Sequence, residues 1–192
     1  MSTVPHHDTA QVVVSLGTDH HKFDRLVDWI DEWLISQADP PSCLVQYGGS
    51  KEPAVASGVP RMPRDDLLEL YSRASVVVVQ GGPGSILDAR EVGHIPLAIP
   101  RRPELHEVVD GHQIAFTRTM AEHGEAIAVE TAQDLFRELS LALANPVKMR
   151  TEPRRSDPAA AARKLESALS QLDRVATGPI ALHRIRQVIS RH

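Results

Sequence analysis

The sequence predicts an α/β fold in which a doubly wound, Rossmann-like parallel sheet carries helices on both faces. Short apolar runs rich in valine alternate with longer segments whose apolar residues recur at helical spacing. Each helical segment is long enough to cross the sheet and return the chain to a parallel neighbour. With 192 residues, 42% of them hydrophobic, the chain can also bury one sizeable core.

The first half of the chain shows this alternation clearly. Strands are predicted over residues 12–16 and 43–47 and near residues 54–57, and a helix is predicted over residues 65–74. The helix between the first two strands is predicted from apolar residues at helical spacing, namely Phe23, Leu26, Val27, Ile30, Trp33 and Leu34.

The second half continues the pattern with three strands, predicted at residues 75–79, 97–99 and 126–129. Helices are predicted after them, up to about residue 92 and over residues 108–123 and 131–144. Gly93 is expected to close the first of these helices. Thr131 is the expected N-cap of the last, with Asp134 at the capping-box position.

A change of composition after Asn145 predicts a domain boundary. Residues 1–145 are assigned to the Rossmann-like domain, and residues 146–192 to a linker with a helical C-terminal extension. Residues 146–158 are polar and interrupted by prolines, which is typical of linkers. The extension is expected to contain two helices with apolar stripes, and the second has a basic face that suits docking on a partner or on the domain itself.

Composition excludes several classes of function. The net charge is only -4 and basic residues are not concentrated before residue 148, which argues against nucleic-acid binding. The single cysteine, Cys43, excludes an intramolecular disulfide and a cysteine-rich metal site. The first ten residues lack signal-peptide features and no long apolar run occurs, so a cytoplasmic location is expected, with any membrane contact made through a partner.

The most informative segment is a glycine-rich loop between a strand and a helix, residues 80–85. Three glycines let backbone amides approach a ligand, and the positive end of the helix suits an anion such as phosphate. A glycine-rich turn that serves only helix–sheet packing is an equal alternative for the loop alone. The loop matches neither the P-loop nor the dinucleotide-binding motif, so a nicotinamide cofactor is not expected.

Four segments together carry a resemblance over residues 12–144. They are residues 15–26, residues 46–49, residues 80–86 with Asp88, Gly93 and Pro96, and residues 110–113. In order and spacing they resemble the C-terminal domain of glycosyltransferase family 28, which is the C-terminal half of a GT-B fold. Within that family the chain is most similar to small split-enzyme subunits. These are bacterial exopolysaccharide and capsule subunits and the cytosolic catalytic subunit that adds the second N-acetylglucosamine in eukaryotic N-glycan assembly.

The resemblance implies a donor site for a UDP-sugar. Gly82, Gly84 and Ser85 would contact the diphosphate, and Asp88 would accept hydrogen bonds from the ribose hydroxyls. The side chains of His112 and Gln113 would bind the donor. Taken alone, Asp88 is also explained as a solvated helix residue, and the last two as an exposed helix face.

Four further residues belong to the expected site. Gly17 and Thr18 follow the first strand at the sheet edge where ligands collect, although a simple turn also explains Thr18. Gln80 stands where relatives often carry histidine or arginine, which leaves the choice of donor open. Arg101 is a candidate for offsetting the charge of the diphosphate.

The expected function is that of a donor-binding subunit of an inverting glycosyltransferase, active with a membrane-associated partner that holds a lipid-linked glycan acceptor. No cofactor and no metal are expected. The histidines at positions 20, 21, 94, 106 and 123 lack metal-ligand spacing and are interpreted mostly as surface or loop residues. No catalytic base is identifiable, and we expect it on the partner. The alternatives are a non-catalytic nucleotide-sugar-binding accessory subunit and, disfavoured by the short chain, a sugar-nucleotide epimerase.

Overall fold

The structure is a computed structural model that describes residues 10–154. It contains a sheet of six strands, all of them parallel, with the spatial order β3-β2-β1-β4-β5-β6. The strands are β1 (Val12–Ser15), β2 (Cys43–Gln46), β3 (Ser57–Val59), β4 (Val76–Gln80), β5 (Leu97–Ile99) and β6 (Ile127–Ala128). This is the strand order of the doubly wound dinucleotide-binding sheet.

The described residues form five α-helices, four of which connect successive strands while the fifth follows β6. They are α1 (Asp24–Ser36), α2 (Arg64–Arg73), α3 (Pro83–Glu91), α4 (His112–Glu122) and α5 (Ala132–Ala144). Valine runs form β1 and β4 because both strands are buried on both faces, where β-branched side chains pack well. The predicted α/β fold class is therefore confirmed for the described residues, whereas the predicted helical extension lies outside them.

The core has one layer on each face of the sheet. Val12 and Val14 of β1 face the cluster formed with α1 and α5, while Val13 faces the cluster that contains Tyr71 of α2 and Ile86 of α3. This alternation follows from the two-residue period of a strand. Burial on both faces holds β1 at the centre of the sheet.

Two predicted boundaries were wrong for identifiable reasons. The third strand begins at Ser57 rather than near Ala54, because the N–H groups of residues 54–56 donate to the carboxylate of Asp31 instead of to a neighbouring strand. Helix α4 begins at His112 rather than near residue 108. A 3₁₀ turn over Pro103–Leu105 and the left-handed His106 occupy the chain before it.

The ends of α3 and α5 follow the predicted signals in part. Gly93, with φ of 81°, lies just beyond the end of α3 and donates its N–H to Arg90 O. Thr131 caps α5, since its hydroxyl oxygen accepts the Asp134 N–H at 3.1 Å. The carboxylate of Asp134 accepts from the Thr131 hydroxyl, so the reciprocal half of a capping box is absent between these two residues.

The segment over residues 146–154, which the sequence assigns to a linker, lies on the domain. Met149 is buried in the core and its carbonyl accepts the N–H of Ile95. The Arg150 guanidinium donates to two carbonyls beside the end of α2, and the Arg154 N–H donates to Arg90 O. The compact unit accordingly extends to Arg154, nine residues beyond the predicted boundary at residue 145.

Candidate functional site

A cleft opens at the carboxyl ends of β1 and β4, the neighbouring strands from which the chain runs in opposite directions across the sheet. Ligands of open α/β sheets bind at this switch point. The cleft has a volume of ≈ 590 Å³, within the range of small-molecule sites. Its lining residues are Ser15, Gly17, Thr18, Asp19, Gln46, Met62, Arg64, Leu67, Gln80, Gly84, Ser85 and Asp88.

The N-terminus of α3 forms one wall of the cleft. Gly82 is the N-cap residue and Pro83 occupies the first turn, where its missing N–H costs nothing. The N–H groups of the next two residues have no acceptor within the helix, as at any helix N-terminus. Nothing lies within 4 Å of the position that a Cβ on Gly84 would occupy. An anion can therefore approach these amides closely.

Gln80 fills the corner between the glycine loop and the loop after β1. Its side-chain N–H donates to Ser85 Oγ at 3.1 Å, and its Oε1 is buried without a hydrogen-bond partner among the described residues. A Cβ on Gly82 would lie 2.5 Å from Gln80 Nε2. The amide of Gln80 consequently orients the Ser85 hydroxyl, and a side chain at position 82 would displace this amide.

The loop after β1 is held by a chain of buried polar contacts. Ser15 Oγ donates to Gln46 Oε1 at 2.6 Å and accepts the Gly17 N–H at 3.3 Å. Gly17 has φ of 78°, and its carbonyl oxygen would be 2.5 Å from a Cβ on Gly48, so the second glycine segment permits close backbone packing. The Thr18 hydroxyl makes no hydrogen bond with a described residue, so the turn that would explain Thr18 without a ligand is not formed.

Asp88 lies one turn after Ser85 and faces the cleft, next to a residue that the sequence did not single out. Arg64, the first residue of α2, donates from Nε at 3.0 Å and from Nη2 at 2.8 Å to Asp88 Oδ1, and also contacts Glu91. These carboxylates raise the pKa of Arg64, with the Asp88 hydrogen bond as the main cause. The only sequence signal was an arginine at the carboxyl edge of the sheet, because its partners lie 24 and 27 residues away.

Arg101, the predicted counter-charge for the diphosphate, has a different role. Its side chain is 1% exposed, and its guanidinium donates to three backbone carbonyls, those of Leu16, His21 and Glu107, at 2.9, 2.7 and 2.9 Å. Burial lowers the pKa of Arg101. The prediction was wrong because the guanidinium fastens the loops after β1 and β5 from within and is not directed at the cleft.

The N-terminus of α4 stands apart from the residues that line the cleft. The side chain of His112 is 92% exposed beside Asp110, and the side-chain oxygen of Gln113 accepts the backbone N–H of Arg101 at 3.2 Å. Thr117 Oγ1 donates to the carbonyl of Gly81 at 3.2 Å and so ties α4 to the glycine loop. The structure thus gathers six of the nine predicted donor-binding residues around the cleft, and Gly82 precedes the helix there as its N-cap. Contact of His112 and Gln113 with the donor stays a prediction.

The histidines divide into two environments. His94 lies between α3 and β5, as a loop residue was expected to, but it is fully buried, and burial, aided by the charge of Arg150, lowers its pKa to about 4. At the rim of the cleft, Asp19, His20 and His21 place ligand-type atoms within 4.8 Å of one another. His21 Nδ1 and Asp19 Oδ1 are 2.7 Å apart there, an arrangement that spacing rules for metal motifs did not reveal.

None of the helices within residues 10–154 is long and apolar enough to cross a membrane. No protein-family model matches the sequence, and no curated protein matches it.

Solved structures do match the fold. A MurG from Acinetobacter baumannii superposes with a TM-score of 0.53 at 18% identity, covering 74% of this chain and 43% of that protein. The calicheamicin glycosyltransferase CalG4 superposes with a TM-score of 0.54 at 18% identity, and the match covers 88% of this chain and 44% of CalG4. The glycotransferase of kitacinnamycin superposes with a TM-score of 0.53 at 18% identity, and the match covers 74% of this chain and 38% of that protein. The chain therefore spans less than half the length of the glycosyltransferases it resembles, and its Rossmann-like α/β fold is the one found within them.

Proposed function

We propose that the cleft binds a UDP-sugar and that the chain is the donor-binding part of an inverting glycosyltransferase. The observation that carries this proposal is the open N-terminus of α3 at the switch point, with Ser85 and Asp88 beside it. The diphosphate would lie on the free amides near Gly84, and the Ser85 hydroxyl, already oriented by Gln80, would donate to it.

The spacing along α3 suits the nucleoside part of the donor. Ser85 and Asp88 are three residues apart on one helix face, a rise of about 4.5 Å. A carboxylate at this distance from the diphosphate is an acceptor for the vicinal hydroxyls of the ribose. Gly17 and Thr18 bound the opposite side of the cleft, where the Thr18 hydroxyl is available to a phosphate or to the acceptor.

The cleft supports departure of the diphosphate better than deprotonation of an acceptor. Its described lining contains two carboxylates, Asp19 and Asp88. The N–H of His21 donates to Asp19 and is the main cause of its lowered pKa, which makes Asp19 a weak base. Asp88 is paired with Arg64. A general base on another polypeptide fits this arrangement.

The proposed partner is a membrane-associated subunit that presents a lipid-linked glycan acceptor across the cleft. One observation supports it: neither carboxylate in the described lining of the cleft, Asp19 or Asp88, is placed as a free base for an acceptor hydroxyl. The acceptor hydroxyl would attack the anomeric carbon directly and lose its proton to the base on the partner. UDP would leave, and the configuration at the anomeric carbon would be inverted.

Calorimetric titration of the full chain with UDP, GDP and several UDP-sugars, with and without the candidate partner, tests the proposal. We expect UDP to bind more tightly than GDP, and an absence of UDP affinity in the presence of the partner would overturn the proposal. Ser85→Asp then places a carboxylate against the diphosphate and should abolish transfer by the reconstituted pair. Unchanged transfer would favour a non-catalytic accessory subunit instead.

A further inference from the structure

The charge of the cleft is unbalanced for an anionic ligand. Among its described lining residues, Asp19 and Asp88 are acidic and Arg64 is the only arginine or lysine. Gln80 is neutral, and the guanidinium of Arg101 is committed to backbone carbonyls. A donor diphosphate entering this cleft therefore meets one cationic lining residue, on a helix to which the sequence assigned no role; Arg61 lies at the edge, where its guanidinium approaches the carbonyl of Thr18 at 3.5 Å.

Arg64 is placed to serve that diphosphate. Its side chain is 52% exposed, and its contacts run to Asp88, which lines the cleft, and to Glu91, three residues further along α3. Ser85 precedes Asp88 by the same spacing. Moving the guanidinium from Asp88 to a phosphate held at the helix N-terminus requires a shift of about one helical turn, roughly 5 Å, which a long arginine side chain spans.

The exchange is favourable because the present contacts are weak. Ion pairs at exposed positions contribute little to stability, so releasing Asp88 and Glu91 costs little. A phosphate accepts two parallel N–H bonds from a guanidinium in good geometry. Both Arg64 contacts to Asp88 go to Oδ1, and releasing them frees this oxygen for a second bond to ribose.

We propose that Arg64 is a donor-binding residue that exchanges its two carboxylate partners for the diphosphate of the bound nucleotide, and thereby releases Asp88 to bind the ribose. This inference rests on the proposed function of the cleft. With the cleft empty, Arg64 neutralises the α3 carboxylates, and with the cleft filled, it neutralises the phosphates.

The test compares UDP with uridine, because both contain ribose and only UDP contains phosphate. Calorimetry is done on the full chain carrying wild-type Arg64, Arg64→Met or Arg64→Lys. Arg118→Met is the matched control, since Arg118 is 60% exposed and pairs with Glu130. We expect Arg64→Met to weaken UDP binding about tenfold or more and uridine binding less than about twofold, with partial recovery in Arg64→Lys.

A purely positioning role for Arg64 gives a different result. If Arg64 acts only by holding Asp88, Arg64→Met weakens uridine and UDP equally, and the inference is overturned. Equal UDP affinity in wild type and Arg64→Met overturns it as well. Failure of the wild-type chain to bind UDP, with the candidate partner present, would instead remove the proposed function, so the two failures are distinguishable. Thermal unfolding of each variant shows that the domain is intact.

Discussion

The glycine loop before α3 allows a sharp test, because two of its glycines have opposite surroundings. A Cβ on Gly84 would meet nothing within 4 Å, whereas a Cβ on Gly81 would overlap Thr117 Oγ1 and lie 2.8 Å from Pro100 Cα. Gly84→Ala should therefore be harmless to the fold, whereas Gly81→Ala should destabilise it.

The magnitudes follow from these surroundings. Gly84→Ala lies in the first turn of α3, where alanine is the better helix former by up to about 1 kcal/mol, so thermal stability should stay equal or rise. Its methyl group would occupy the space in which a phosphate meets the free amides. Losing one charge-assisted hydrogen bond costs about 1.5–3 kcal/mol, or roughly tenfold to a hundredfold in UDP affinity. Gly81→Ala should destabilise the domain by about 1–3 kcal/mol, because Thr117 is buried and has no room to move.

The assay is UDP titration calorimetry combined with differential scanning calorimetry of both variants. A Gly84→Ala protein with wild-type stability and wild-type UDP affinity would refute the placement of a phosphate at this helix N-terminus. A Gly81→Ala protein as stable as wild type would refute the packing described between the loop and α4.

Three further changes probe the frame around the cleft. Arg101→Met removes the guanidinium donor from three carbonyls, two of them in buried contacts, and should lower the free energy of unfolding by about 3 kcal/mol or more in urea titrations, and an effect on UDP affinity alone would contradict the structural role. Truncation after Arg154 is the reference, because it keeps residues 146–154 on the domain. Truncation after Asn145 removes the buried Met149 and should cost about 2–5 kcal/mol, and equal midpoints would restore the predicted boundary. Because His94 binds its proton less tightly when folded, its contribution to stability is complete above pH 6.5 and is lost as the pH falls to about 4. The urea midpoint should therefore decline more steeply over this range in wild type than in His94→Gln, and parallel declines would argue against a neutral buried imidazole.

The sequence predicts the central sheet and the glycine loop well, because both have strong local signals. Valine runs define β1 and β4, and the change from strand to helix at residues 80–85 places the loop at a sheet edge. The roles expected for Ser85 and Asp88 came from the resemblance to the family, and helical spacing places the two residues on one face of α3. Each of these features is encoded within a few neighbouring residues.

The errors concern contacts between residues far apart in the sequence. Arg101 lies in a polar loop, and nothing near it shows that carbonyls 80 and 85 residues away would enclose its guanidinium. The importance of Arg64 depends on Asp88 across two elements. Similarly, a polar segment such as residues 146–154 looks like a linker until the sheet provides the surface that buries Met149.

The buried guanidinium of Arg101 also restricts how this site can change during evolution. Because one side chain joins the ends of two strands and the loop that precedes α4, its replacement would require simultaneous changes in three segments. Arg64, by contrast, is half exposed on α2 and joins no strand ends. Adaptation to a new donor is therefore expected to proceed through lining residues that do not meet the diphosphate, such as Met62 and Leu67, while position 101 stays constant.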